Sequence, residues 1–243
     1  MADGIRRLRS SFVNWYLIED GTGLAAVDAG PRRGLAELEA TLAALGRSPR
    51  ELVAIVLTHA HVDHIGFAEA ARRRFGTAVY VPEGDVGLAR HPLLRLRSER
   101  LLVPYLRNAS ARSLVVAMVR TGAIRPRALR SFESYRDGET LELVPGAPRA
   151  LATPGHTAGH MALHLPDRDV LFTGDALVTV DPLTGRTGPR RVGLGFTQDA
   201  DDAARSLDAV AATGAGTLLP GHGDPWTGGA VEAARLAREA GQD

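Results

Sequence analysis

The sequence predicts an α+β protein in which two mixed β-sheets pack face to face as a sandwich with helices outside. Apolar runs of strand length fall into two groups along the chain, helical segments are interspersed among them, and no repeat or low-complexity linker divides the sequence. With 243 residues, 44% of them apolar and 23% charged, the chain can bury a sizeable core. It reads as one domain over 1–243, with a helical, lid-like insertion at about 86–130.

The elements follow in order. Phe12 to Ile18 and Leu24 to Val27 read as a hairpin across the turn Asp20-Gly21-Thr22-Gly23. Leu35, Leu38, Leu42 and Leu45 recur at helical spacing, and Gly46 ends that helix. Val53 to Leu57 is continuously apolar, as expected of a strand buried on both faces. Phe67 to Phe75 reads as a short helix stopped by Gly76, and Ala78 to Val81 as the next strand. Leu88 to Thr121 is mostly helical in pattern, with Leu101, Leu102, Tyr105, Leu106, Leu114, Val115 and Met118 supplying apolar faces. Strands are then expected at Thr140 to Leu143, Arg149 to Ala152, Met161 to Leu165, Val170 to Phe172 and Thr217 to Leu219. Helices are expected at Asp199 to Ala212 and Gly229 to Ala240.

Composition excludes several classes. No apolar run approaches the roughly 18 residues of a membrane span, and Arg6, Arg7 and Arg9 are not followed by the apolar stretch of a signal peptide, so a cytoplasmic location without membrane association is expected. Cysteine is absent, which leaves His and carboxylates as the only strong metal donors. The net charge is +1, and every basic residue is Arg. Arg90 to Arg130 is the basic stretch, with Glu99 as its only acid.

The histidines are concentrated. His59, His61 and His64 fall within Thr58-His59-Ala60-His61-Val62-Asp63-His64, directly after an apolar strand. Polar partners recur where later strands empty into loops: Pro154-Gly155-His156, Thr173-Gly174-Asp175 and Pro220-Gly221-His222. Such loops can aim side chains from a rigid scaffold into one cavity. Imidazole nitrogen and carboxylate oxygen suit Zn²⁺, and also Fe²⁺ or Mn²⁺. His59, His61, Asp63, His64, His156, Asp175 and His222 exceed what one tetrahedral ion needs but suit two ions sharing a carboxylate. Asp28, after the strand Leu24 to Val27, is expected to brace a ligand rather than bind. His160 is read as a hydrogen-bonding or packing residue beside the site, His164 as a surface or packing residue, and His91 as a loop residue.

The motifs His59-x-His61-x-Asp63-His64, Gly155-His156, Gly174-Asp175 and Gly221-His222, preceded by Val27-Asp28-Ala29-Gly30, resemble those of the metallo-β-lactamase superfamily, and they span most of the chain. The resemblance implies an αβ/βα sandwich with two metals, expected as two Zn²⁺, in a groove at the edges of the sheets. It implies that His59, His61 and His156 hold one metal, that Asp63, His64 and His222 hold the other, and that Asp175 bridges them. It implies a hydrolase of the glyoxalase II-like or lactonase-like branch, in which a metal-bridging hydroxide attacks the carbonyl of an ester, thioester or lactone. Asp63 would then be catalytic, orienting the nucleophile and passing its proton toward the leaving group.

Departures narrow the branch. The antibiotic-hydrolysing enzymes of this superfamily carry Cys, or no carboxylate, where this chain has Asp175. The RNA-processing members carry large extra domains or basic arms, so no nucleic-acid partner is expected. The alternative is a mononuclear non-haem iron persulfide dioxygenase using only His59, His61 and His156. A binding protein without catalysis is disfavoured because no ligand position has decayed.

The superfamily places its substrate-determining insertions where Leu88 to Arg130 lies. Tyr105 is expected to touch a small-molecule substrate, anionic or acyl-bearing, and arginines of this segment, or Arg186 in the loop Gly185 to Arg191, to pair with an anionic group. An apolar lid of this kind could also form a homodimer surface. About twenty residues follow His222, too few for the helical domain by which glutathione-thioester hydrolases bind glutathione.

Overall fold

The computed structural model describes residues 4–92 and 99–242, side chains at 99–102 excepted. The first sheet runs in spatial order β1 (Ile5–Ser10), β2 (Val13–Asp20), β3 (Gly23–Val27), β4 (Leu52–Val56), β5 (Ala78–Pro82) and β6 (Glu133–Tyr135). It is mixed, with β1, β2 and β3 antiparallel neighbours and β3 to β6 parallel ones. The second sheet has the order β12 (Thr217–Pro220), β9 (Val170–Gly174), β8 (Met161–Leu165), β7 (Arg149–Ala152) and is also mixed. A short ribbon, β10 (Val178–Val180) with β11 (Thr187–Arg190), follows β9 in sequence.

Alternation along the strands sorts side chains into layers. Between the sheets, Tyr16, Ile18, Val27, Val56 and Tyr135 meet Leu163, Leu165, Phe172 and Leu219 in one buried cluster. On the outer face of the first sheet, Trp15, Leu17, Ala26, Ile55 and Val81 pack with Leu38 and Leu42 of α1 (Gly34–Ala44) and Ala68 and Ala71 of α2 (Ala68–Phe75). On the outer face of the second sheet, Ala162, Leu171 and Leu218 pack on α5 (Ala200–Ala212) and α6 (Ala230–Glu239) through Leu207, Val210, Ala233 and Ala237. The result is the helix–sheet–sheet–helix layering expected from the sequence.

Four elements differ from expectation. β1 was not foreseen, because only Ile5, Leu8 and Ser10 turn inward while its three arginines obscure the period. β6 is a three-residue edge strand with one buried residue, Tyr135. Thr140 to Leu143 is not a strand: Thr140 makes an isolated bridge to Arg149, and Leu143 stands 83% exposed. The ribbon β10–β11, rich in Gly and Pro at its second strand, gives no apolar alternation to read.

Between β5 and β6 the chain forms α3 (Val86–Arg90), a 3-10 segment Glu99–Arg107 and α4 (Ala109–Thr121). Asn108 precedes α4, and Gly122, left-handed at φ +76°, ends it. Ala111 and Leu114 of α4 join Leu183, Phe12, Tyr105, Met118 and Phe196 in a satellite cluster. Arg95 and Arg97, and the side chains of Arg100, Leu101 and Leu102, lie outside the described residues. Among the described residues no helix is long and apolar enough to cross a membrane.

Candidate metal centre

Five loops meet at one end of the sandwich, each leaving the carboxyl end of a strand: Asp28 after β3, His59 to His64 after β4, His156 after β7, Asp175 after β9 and His222 after β12. Backbone bonds lock the two sheets together here. Met161 N donates to Thr58 O at 2.9 Å, and Asn14 N to Gly221 O at 2.7 Å. The Asn14 amide also donates to the carbonyls of Pro220 and Gly223, which fixes the loop carrying His222.

All seven residues expected as ligands come together. His59, His61 and His156 form one group and Asp63, His64 and His222 another, and within each group the candidate donor atoms lie within 4.8 Å of one another. Asp175 stands between the groups. Its Oδ2 is 3.3 Å from His156 Nε2, 3.9 Å from His59 Nε2 and 3.1 Å from His222 Nε2, and its Oδ1 is 3.6 Å from His64 Nε2. Asp63 Oδ2 faces His64 Nε2 at 3.8 Å and His222 Nε2 at 3.7 Å. His61 Nδ1 and His156 Nε2 are 2.7 Å apart.

Glycines precede the ligands because the loops nearly touch. A Cβ on Gly221 would sit 2.2 Å from Asp175 Oδ1. One on Gly174, itself left-handed at φ +48°, would meet His160 Nε2 at 2.6 Å and Thr58 Oγ1 at 2.7 Å.

Behind the imidazoles lies a hub that sets which nitrogen faces inward. The Asp28 carboxylate accepts from the Thr58 amide at 2.8 Å, from the Thr58 hydroxyl and from His64 Nδ1–H at 2.9 Å. With its proton committed to Asp28, the Thr58 hydroxyl accepts from His59 Nδ1–H at 3.0 Å. His222 Nδ1–H donates to Phe12 O at 2.8 Å. Each of these three imidazoles therefore turns its Nε2 toward the cluster. Asp28 is itself left-handed at φ +63°, a conformation costing a non-glycine residue about 1 kcal/mol. Asp28 thus contacts His64 directly and His59 through Thr58.

The sequence reading gave no role to Thr58 or Asp85. Buried Asp85 accepts from Ala60 N, Thr157 Oγ1 and Gly159 N, tying the histidine run to the loop of His156. Its signal was weak: a polar residue just beyond strand β5, like the other site residues. His160 is not an eighth donor. Its Nε2 accepts from the Asp175 amide at 3.0 Å, so its Nδ1–H donates to Thr153 Oγ1. Tyr105 lies in the satellite cluster and Arg186 is exposed in the turn before β11, neither among the residues lining the cleft over the cluster.

The electrostatics suit a cation. Burial opposes charge on every group, and the imidazoles split. Burial, reinforced by His64, His61 and His156, holds His59 well below its ordinary value. His64 overcomes the same burial because Asp175, Asp28 and Asp63 surround it, and it is pushed up to about 10. Asp175, though buried, is held well below the carboxylate range by His222 and His64. Among the described residues, His59 Nε2, His64 Nε2 and Asp175 Oδ1 are buried without a hydrogen-bond partner. Leaving such atoms unsatisfied costs about 1–3 kcal/mol each; these three lie within 4.8 Å of one another, His59 in one group, His64 in the other and Asp175 between them, and such a set fits bound divalent cations.

Burial lowers His160 to about 3, with Asp175 opposing and His64 assisting. The folded protein keeps this ring neutral while the unfolded chain protonates near pH 6.5, so His160 contributes stability above that pH that fades as pH falls toward 3. The metal-free His160→Gln variant is expected to lose stability less steeply between those limits than the parent, as read by denaturation midpoints against pH. Parallel curves would contradict this.

Comparison with known proteins finds relatives over most of the chain. The chain is 29% identical over 241 residues to a probable metallo-hydrolase of Bacillus subtilis, covering 93% of this chain and 86% of that one. It is 25% identical over 211 residues to an atrochrysone carboxyl ACP thioesterase of Aspergillus fumigatus, covering 86% of this chain but 50% of that one. The fold superposes on the crystal structure of a metallo-β-lactamase family protein of Thermus thermophilus with a TM-score of 0.73 and 28% identity, covering 98% of this chain and 79% of that one. Residues 8–222 match the metallo-β-lactamase superfamily, and the chain belongs to it.

Proposed function

We propose that the protein is a dinuclear metal-dependent hydrolase, with two Zn²⁺, that cleaves an ester, thioester or lactone. The observation that carries this is the position of Asp175, whose two oxygens face imidazoles of both three-residue groups. On this reading His59, His61 and His156 hold one ion, Asp63, His64 and His222 the other, and Asp175 both. Fe²⁺ and Mn²⁺ suit the same donors. The Bacillus metallo-hydrolase and the Aspergillus thioesterase support the class of reaction.

Bound here, a pair of divalent ions supplies activated water at neutral pH and polarises a carbonyl oxygen. The chain does the rest. The half-buried Asp63 carboxylate borders the cleft, where it can orient the nucleophile, accept its proton and return it to the departing oxygen or sulfur. Asp28, Thr58 and Phe12 O fix three imidazoles so that their Nε2 atoms need not reorganise. The oxidative alternative uses only His59, His61 and His156, and leaves His64 Nε2, which faces Asp63 and Asp175, outside the centre.

The test is a panel of thioesters, lactones, carboxylic esters and one β-lactam, with oxygen uptake on glutathione persulfide alongside. Hydrolysis of at least one of the first three, lost with chelator and restored by zinc, is expected. Oxygen uptake without hydrolysis would overturn the proposal.

A further inference from the structure

The cleft over the cluster has two unlike sides. On the floor are His61, Asp63, His156, Asp175 and His222. The rest of the lining is largely apolar, with Phe12 from the β1–β2 turn, Leu88 from α3, Leu114 and Met118 from α4, and Phe196 from the 3-10 turn Leu194–Phe196. Leu114 and Met118 are four residues apart and share one stripe of α4. The Phe12 ring lies parallel to His222, centroids 5.8 Å apart and planes 8° apart, so the apolar side begins directly against a proposed ligand.

Among the described residues that line the cleft there is no arginine. The Arg112 guanidinium of α4 turns to the carbonyls of Leu106 and Arg107, and Arg107 and Arg120 are exposed. Among the described residues of the lining, every ionisable group belongs to the proposed metal ligands. Against Phe12, Leu114, Met118 and Phe196 an anionic substrate tail would meet hydrocarbon and lose its hydration. An alkyl or alicyclic chain would instead gain by removing Phe12, Met118 and Phe196, all half-buried, from water.

We infer that this cleft is an acyl subsite, in which the substrate lays its carbonyl on the ligand floor and an uncharged apolar acyl chain against Phe12, Leu114, Met118 and Phe196. The inference rests on the proposed hydrolase reading and names its substrate class. The acyl group is chosen because ester, thioester and lactone share it while their leaving groups differ.

The experiment uses zinc-loaded protein and N-acetylcysteamine thioesters with acetyl, butyryl, hexanoyl and octanoyl groups, so that only the acyl chain varies. kcat/KM is expected to rise about two- to fourfold per methylene until the cleft is filled. Met118→Arg, which places a charge on the apolar side at a half-exposed position, is expected to lower the octanoyl-to-acetyl ratio by about tenfold or more. Met118→Gln, a milder change, should lower it in the same direction, and Leu143→Gln, on a remote exposed residue, should leave it unchanged. A flat or falling series, or an unchanged ratio in both Met118 variants, overturns the subsite. Binding of octanamide and acetamide to metal-free protein, followed by NMR, decides the subsite without turnover. Tighter octanamide binding that Met118→Arg abolishes supports it, and equal binding overturns it. Should no thioester, ester or lactone turn over, the hydrolase reading falls, while the amide result still decides the subsite.

Discussion

Asp175→Ala is expected to lower kcat/KM by on the order of 10³-fold and to reduce the metal bound per chain. Loss of a residue that only supports a ligand costs about 10–100-fold, and Asp175 faces both groups directly. Its carboxylate is also the near counter-charge for His222 and His64 in the metal-free protein. Alanine therefore removes both the shared donor and the anion that draws a cation in. Asp175→Asn keeps the shape and one carbonyl oxygen, and should bind metal more weakly than the parent but better than Asp175→Ala. Near-parental turnover at equal metal content in Asp175→Ala would remove Asp175 from the centre of the account. Circular dichroism of both variants separates loss of fold from loss of donor.

The second large effect is expected at Asp28. This carboxylate touches no cleft residue except through other groups, yet it fixes His64 directly and His59 through Thr58. Asp28→Ala should weaken metal binding by about 10–100-fold and cut turnover in proportion. Asp28→Gly serves as the discriminating variant. Glycine relieves the left-handed backbone at φ +63°, so it should fold at least as well as alanine but bind metal no better. If Asp28→Gly kept parental affinity, the residue would be there for the turn alone.

The sequence showed the candidate donors because chemistry and position coincided. Polar residues at the ends of apolar strands have few structural uses, and His59, His61 and His64 stand in a single run. The supporting groups were harder to see. Asp28 to Thr58, Asp85 to Gly159 and His160 to Asp175 are contacts between distant chain positions, and a lone Asp or Thr in a loop has no local pattern to mark it. The layering was legible where strands bury both faces, as in β9 and in β4 apart from the exposed Val53. It was not legible at the sheet edges, where β1 alternates arginine with apolar residues and β6 buries only Tyr135. Tyr105 and Arg186 show the limit of composition as a guide. Both have the chemistry to meet a substrate, but Tyr105 packs behind the cleft residues Phe12, Leu114, Met118 and Phe196 without lining the cleft itself, and Arg186 is exposed before β11.

The central claim is that two cations share Asp175 between two three-residue groups. It is tested most directly by counting zinc in protein reconstituted and freed of excess metal, using plasma mass spectrometry against protein concentration. The account predicts two zinc ions per chain for the parent and one in the His64→Ala variant, whose loss falls on the group with Asp63 and His222. A parent that saturates at one ion, with His64→Ala unchanged, would contradict it.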